Sequence, residues 1–220
     1  MNAHTPQVQA GSSMIEVLVT LVILLIGLLG LAGVMVQGQR SEMESYQRVQ
    51  ALILLQDMVG RINANRIAAP CYNFTSAVSG VPYLGTVATY VPVCTTAQII
   101  AVYPTLAAAS AAAPAATAIS DMTAWSAALN GAAETSGGAN IGAMVGARGC
   151  VSYDATTALI DSLGAAIAGT GKYTVSVAWQ GLGDTFANTS LLCGQGQYGN
   201  EAQRRVVSLP LVVGAISNTN

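Results

Sequence analysis

The amino-acid sequence predicts an α+β protein: one long N-terminal helix packed on a small antiparallel β-sheet domain braced by disulfides. Three observations carry this. An apolar run from Met14 to Val36 holds a single charge, Glu16. Beyond it, residues 41–66 contain no proline and place apolar side chains three and four apart, the spacing of one helix face. The later chain turns to strand-like segments, and all four cysteines, Cys71, Cys94, Cys150 and Cys193, lie there.

Residues 1–11, MNAHTPQVQAG, are polar, and Pro6 and Gly11 discourage a helix. Residues 12–36 are helical in pattern and apolar. Within them Val17–Val36 spans 20 residues, the length needed to cross a hydrocarbon core of ~30 Å. A secretory signal peptide would have a basic start, a shorter core and a small-residue cleavage site behind it. Here no Lys or Arg precedes Arg40, the core is longer and no A-x-A follows, so a single membrane-spanning helix is expected. A carboxylate in such a segment costs roughly 2.5–3.5 kcal/mol on insertion scales, so Glu16 needs a compensating role. Gly27, Gly30 and Gly33 in mid-run have two readings. Glycine is common in membrane helices, and it also makes a small-residue face for close packing or local melting.

Residues 37–66 continue the helix as its amphipathic half. Met43, Tyr46, Val49, Leu52, Ile53, Leu55, Met58, Val59 and Ile62 form the expected apolar stripe. Glu44, Gln47, Arg48, Gln50, Asp57 and Arg61 are expected on the opposite face. Asn63, Asn65 and then Pro70 mark the end, so a continuous helix would be roughly 80 Å long at the α-helical rise.

Residues 67–220 are expected to form the globular, β-rich domain. The segment 83–94 alternates weakly, and Pro82 and Pro92 demote it to edge strand or loop. The Ala-rich stretch 106–120 reads as a surface connection. After it, Ser120 caps a short helix carrying Trp125 and Leu129 on one face, ended by Asn130-Gly131. RGCVSYD (148–154), GKYTVSVAWQG (171–181) and RRVVSLPLVVG (204–214) are the better strands. The middle one alternates cleanly, with Tyr173, Val175, Val177 and Trp179 on one face. An even cysteine count beyond a membrane segment indicates two disulfides formed in an oxidising compartment. Of the three connectivities, Cys71–Cys94 with Cys150–Cys193 is expected, because each pair closes a moderate local loop.

Composition and motifs mainly exclude. A formal net charge of −2 with only 8% charged residues offers no basic surface for nucleic acid. One histidine, His4, and no C-x-x-C pair argue against a metal site, and no cofactor-binding motif is present. The same scarcity of histidine leaves no Ser-His or Cys-His arrangement, so no enzyme activity is expected. Asp154, Asp161 and Asp184 are expected as solvated loop carboxylates, and Trp125 and Trp179 as core anchors. GLGDTF (181–186) is too short a match for a phosphate loop, and NFT and NTS are equally short matches to a glycosylation acceptor.

One N-terminal feature is specific. Gly11 is followed by an apolar helix with a glutamate five residues on, G-S-S-M-I-E from Gly11 to Glu16. This resembles the class III signal of type IV prepilins and pseudopilins. The resemblance implies cleavage by prepilin peptidase between Gly11 and Ser12, removing residues 1–11 as a leader, and N-methylation of Ser12. It also implies that Glu16 pairs with the N-terminal amine of a neighbouring subunit and sets its register. The helix GLLGLAGVMVQGQRSEMESYQRVQALILLQDMVGRINANR is similar to that of minor pilins of the PilV group, in IGLLGLAG, SYQR-QAL and QDM--RI-ANR. Two positions depart from the pattern: no Lys or Arg precedes Gly11, and Ser12 stands where phenylalanine is common.

The implied function is a minor pilin supporting assembly, adhesion or twitching motility. Its partners would be other minor and major pilins, prepilin peptidase and the inner-membrane assembly platform. It would sit in the inner membrane as a single-pass protein with a periplasmic C-terminal domain, and at the cell surface after assembly. The alternatives are a pseudopilin of type II secretion and a membrane-anchored periplasmic adhesin or enzyme.

Overall fold

The computed structural model describes residues 13–132, 135–140, 144–186 and 188–215. The chain is α+β, with a long helix α1 (Met14–Ala64) and a four-stranded antiparallel sheet. It divides between Met43 and Glu44 into two compact units.

Among its described residues the first unit is helical from Met14 onward. Every residue from Ser13 to Met43 is exposed, leucines and valines included. Leu, Ile, Met and Ala sustain a helix on propensity, and backbone bonds satisfy themselves within it. Thr20 turns its hydroxyl back to the Val17 carbonyl at 2.9 Å, so even that polar side chain is satisfied by its own helix.

In the second unit α1 buries a row four and three apart: Gln47, Ala51, Leu55, Met58 and Ile62. The expected stripe is corrected here. Leu55, Met58 and Ile62 are buried, but Tyr46, Val49, Leu52 and Ile53 are exposed while Gln47, assigned to the polar face, is buried. The cause is helical geometry. The packed row is fixed by its C-terminal members, and stepping back by four places Ala51 and Gln47 under the domain whatever their polarity.

After α1, a 3₁₀ turn (Arg66–Ala68) leads into α2 (Ala69–Tyr72), with Pro70 in its first turn where no N–H bond is lost. Helix α3 (Thr96–Val102) opens with a capping box. Thr95 Oγ1 accepts from the Gln98 N–H, and the Gln98 side chain accepts from the Thr95 N–H.

Helix α4 (Ala108–Leu129) overturns the expected surface connection over 106–120, and Ser120 sits inside it rather than capping it. Alanine is the strongest helix former, and Ala111, Ala115, Ala118, Met122, Trp125 and Leu129 recur at helical spacing on the buried face. Against that row the single bond lost at Pro114 does not end the helix. The Trp125 indole N–H donates to the Leu54 carbonyl at 2.9 Å and ties α4 to α1.

The sheet order is β1 (Leu84–Gly85), β4 (Arg148–Asp154), β5 (Gly171–Gln180), β6 (Arg204–Val213). A separate small hairpin joins β2 (Thr135–Ser136) to β3 (Ala139–Asn140). Of segment 83–94, only the two residues of β1 pair, at the sheet edge. Tyr173, Val175, Val177 and Trp179 are buried on one face of β5, in one core with Leu55, Met58, Ile62 and Trp125. A second cluster, Tyr83, Cys150, Ala178, Cys193 and Tyr198, covers part of the sheet's other face. The backbone of Gly149 passes so close to the Trp125 ring that a Cβ there would overlap it.

Candidate functional site: an acidic residue at the head of an exposed apolar helix

Glu16 lies in the first turn of α1, its N–H bonded to the Ser13 carbonyl at 2.9 Å. A carboxylate there complements the positive end of the helix dipole. Behind it the exposed apolar helix begins, the one described helix long and apolar enough to cross a membrane. Gly27, Gly30 and Gly33 are on this stretch, and the space a Cβ would take at each is empty. The cleavage and methylation positions, Gly11 and Ser12, lie outside the described residues.

The disulfides are Cys71–Cys94, with Cα atoms 5.3 Å apart, and Cys150–Cys193, with Cα atoms 5.8 Å apart. The first ties α2 to the residue before the α3 cap. The second pins the long loop between β5 and β6 onto β4. Arg204, 3% exposed, holds the same loop from the other side. Its guanidinium donates to the carbonyls of Asn188 and Leu191 at 2.6 Å and to Glu201 at 2.7 Å. Burial alone would raise the Glu201 carboxyl. The Arg204 guanidinium and the Gly196 N–H outweigh it and hold that carboxyl below the usual range. Arg148, 7% exposed, sits between the rings of Tyr83 and Tyr198, at 5.2 Å and 4.6 Å from their centroids. Burial, the dominant effect, pushes the Tyr198 hydroxyl up to about 12.

A polar knot joins α1, α2 and α4. Arg61 donates to Asp57 and Asp121, and the Tyr72 hydroxyl donates to the other Asp121 oxygen at 2.6 Å. Sequence reasoning put Asp57 and Arg61 on a solvated face and did not connect them to Asp121. Nor did it single out Arg148 or Arg204, whose partners are aromatic rings and loop carbonyls distant in sequence.

The acidic candidates are not gathered into one place. Asp154 engages Thr156 and Lys172, Asp161 accepts from the N–H groups of Leu163 and Ala165, and Asp184 accepts from Asn200. Among the described residues no group of three or more His, Cys, Asp or Glu could hold a metal ion.

Comparison with known protein families, curated proteins and solved structures gave no match. The chemical content of the site therefore rests on the helix itself. It places one carboxylate at the head of an exposed, otherwise uncharged apolar surface.

Proposed function

We propose that the chain is a minor pilin, a non-catalytic subunit cut by prepilin peptidase after Gly11 and assembled into a type IV pilus. The observation that carries the reading is Glu16, in the first turn of an apolar helix and five residues after Gly11. In lipid, such a carboxylate is expensive. Beside the N-terminal ammonium of a neighbouring subunit it becomes half of an ion pair, in a bundle of apolar helices that replaces lipid around the rest of α1. The subunit then leaves the inner membrane without exposing its apolar helix to water. Gly11 fits the processing step, since an extended glycine enters a protease site without a side chain. The two disulfides fit a domain that matures in an oxidising periplasm.

Intact-mass spectrometry of the membrane protein tests the reading directly. The expected N-terminus is Ser12 with one added methyl group; a mature protein that keeps residues 1–11 overturns it. In the same cells Glu16→Ala should leave membrane insertion intact and abolish incorporation into pili. Loss of secretion with normal pili in a deletion strain would instead identify a pseudopilin.

A further inference from the structure

The two edges of the four-stranded sheet are treated differently. On one side the outer edge of β4 is occupied: β1 pairs with its first two residues, Thr75 bonds both ways with Val151, and the Asn73 side chain accepts the Tyr153 N–H at 3.0 Å. Strand β6 forms the other edge, and all ten of its residues pair with β5.

The register decides which backbone groups of β6 look outward. Gly181 donates its N–H to the Gln203 carbonyl at 2.8 Å, while Gln180 donates to the Val145 carbonyl on the opposite side. Bonding alternates from there, so the odd-numbered residues of β5 and β6 face each other. The even-numbered residues of β6, among them Val206, Ser208, Pro210 and Val212, turn their backbone groups away from the sheet. Among the described residues nothing accepts from the N–H of Val206, Ser208 or Val212.

Such a row is a template for another strand, and little else in β6 would repel one. From Val206 to Val213 there is no charged residue, and Leu209 and Val212 are 37% and 66% exposed. A second copy of β6 matches it in the antiparallel arrangement centred on Ser208. Val207 then lies opposite Leu209 of the other copy, and Arg204 and Arg205 lie opposite its Val212 and Leu211, so no like charges meet.

In that arrangement Val206 faces Pro210 of the other copy. Proline has no N–H to give, and its ring stands where the hydrogen would be, against the Val206 carbonyl. The two-fold symmetry repeats this conflict on both sides of Ser208. Toward β5, in contrast, Pro210 loses nothing, because it sits opposite Thr174 in a pair that exchanges no hydrogen bonds.

We propose that Pro210 keeps the β6 edge from joining β6 of a second copy of this chain. The proposal goes beyond the pilin reading and does not rest on it.

The test uses the full chain in detergent with Ser208→Cys as reporter. Across the two-fold axis two such cysteines would have Cα atoms about 5.5 Å apart, within disulfide reach. With Pro210 in place, a mild oxidant should link little dimer. Pro210→Thr should raise the linked fraction about tenfold, as two regained hydrogen bonds of ordinary strength would, and leave near-ultraviolet circular dichroism unchanged. Adding Val206→Pro, which returns a proline to an outward position, should lower it again. With Val212→Cys as reporter no link should form, since roughly 26 Å would separate the two copies of that position. The proposal is overturned by as much dimer with Pro210 as with threonine, by links at 212 that match those at 208, or by a dimer that Val206→Pro leaves unchanged. Loss of the native near-ultraviolet signal in Pro210→Thr would overturn it too, because the proline would then serve its own sheet.

Discussion

The two parts of α1 share one secondary structure and opposite surroundings. Between Met14 and Met43 the helix is wholly exposed, with Leu24 at 60%, and up to Val36 it is apolar but for Glu16 and Thr20. Between Glu44 and Ala64 it is mixed in composition, yet Gln47 is 2% exposed. Hydropathy therefore does not locate the protein core along this helix; the row that meets the sheet and α4 does. By length and composition the first part matches the hydrocarbon thickness of a bilayer.

The largest test of that contrast is a matched pair of truncations. Leu55→Ala empties a fully buried position and should cost the folded unit about 2–5 kcal/mol in denaturant unfolding. Leu28→Ala, in the exposed part, should leave that unfolding within about 0.5 kcal/mol of wild type in detergent. Equal losses at both positions would erase the contrast between the exposed and the buried part.

A somewhat smaller effect should come with alkaline pH. Burial raises the hydroxyl pKa of Tyr72, Tyr173 and Tyr198, the last to about 12, and no tyrosine precedes Tyr46. An unfolded tyrosine loses its proton near pH 10 while the native one keeps it. Stability is therefore complete below about pH 10 and falls as pH rises toward 12, by about 2–3 kcal/mol from Tyr198 alone. Near-ultraviolet circular dichroism should follow this loss while the apolar helix keeps its far-ultraviolet signal in detergent. A stability flat from pH 9.5 to 12 would contradict the burial argument, and Tyr198→Phe should remove part of the slope.

How much of this was legible follows from what each element depends on. Strands β4, β5 and β6 could be read because alternation of Tyr173, Val175, Val177 and Trp179 is a local pattern that the sheet enforces. The long helix was equally clear from its length and lack of proline. Helix α4 was misread because a run of alanines and Pro114 looks like low complexity. Its helical character becomes plain only when Ala111, Ala115 and Ala118 meet a partner surface. The burial of Gln47 was invisible for the same reason, since it is set by a register with Leu55 rather than by its own polarity. At the candidate site, Glu16 stood out because a lone carboxylate breaks an uncharged run. Arg148 and Arg204 could not, because their partners are aromatic rings and loop carbonyls that only the fold brings to them.

The smallest effect probes the boundary between the two parts. Glu44, the first residue of the folded unit, accepts from Arg205 Nη2 of β6 at 3.1 Å. Its side chain is 37% exposed, so solvent screens the pair and its value is below about 1 kcal/mol. Arg205 also donates to the Ala202 carbonyl at 3.0 Å and the Gly183 carbonyl at 2.7 Å, so it stays in place without the carboxylate. Glu44→Gln should therefore shift the denaturation midpoint only slightly, and 0.5 M salt should bring wild type toward the mutant. A loss as large as that of Leu55→Ala would show that this ion pair, rather than the buried row, fixes where the helix joins its domain.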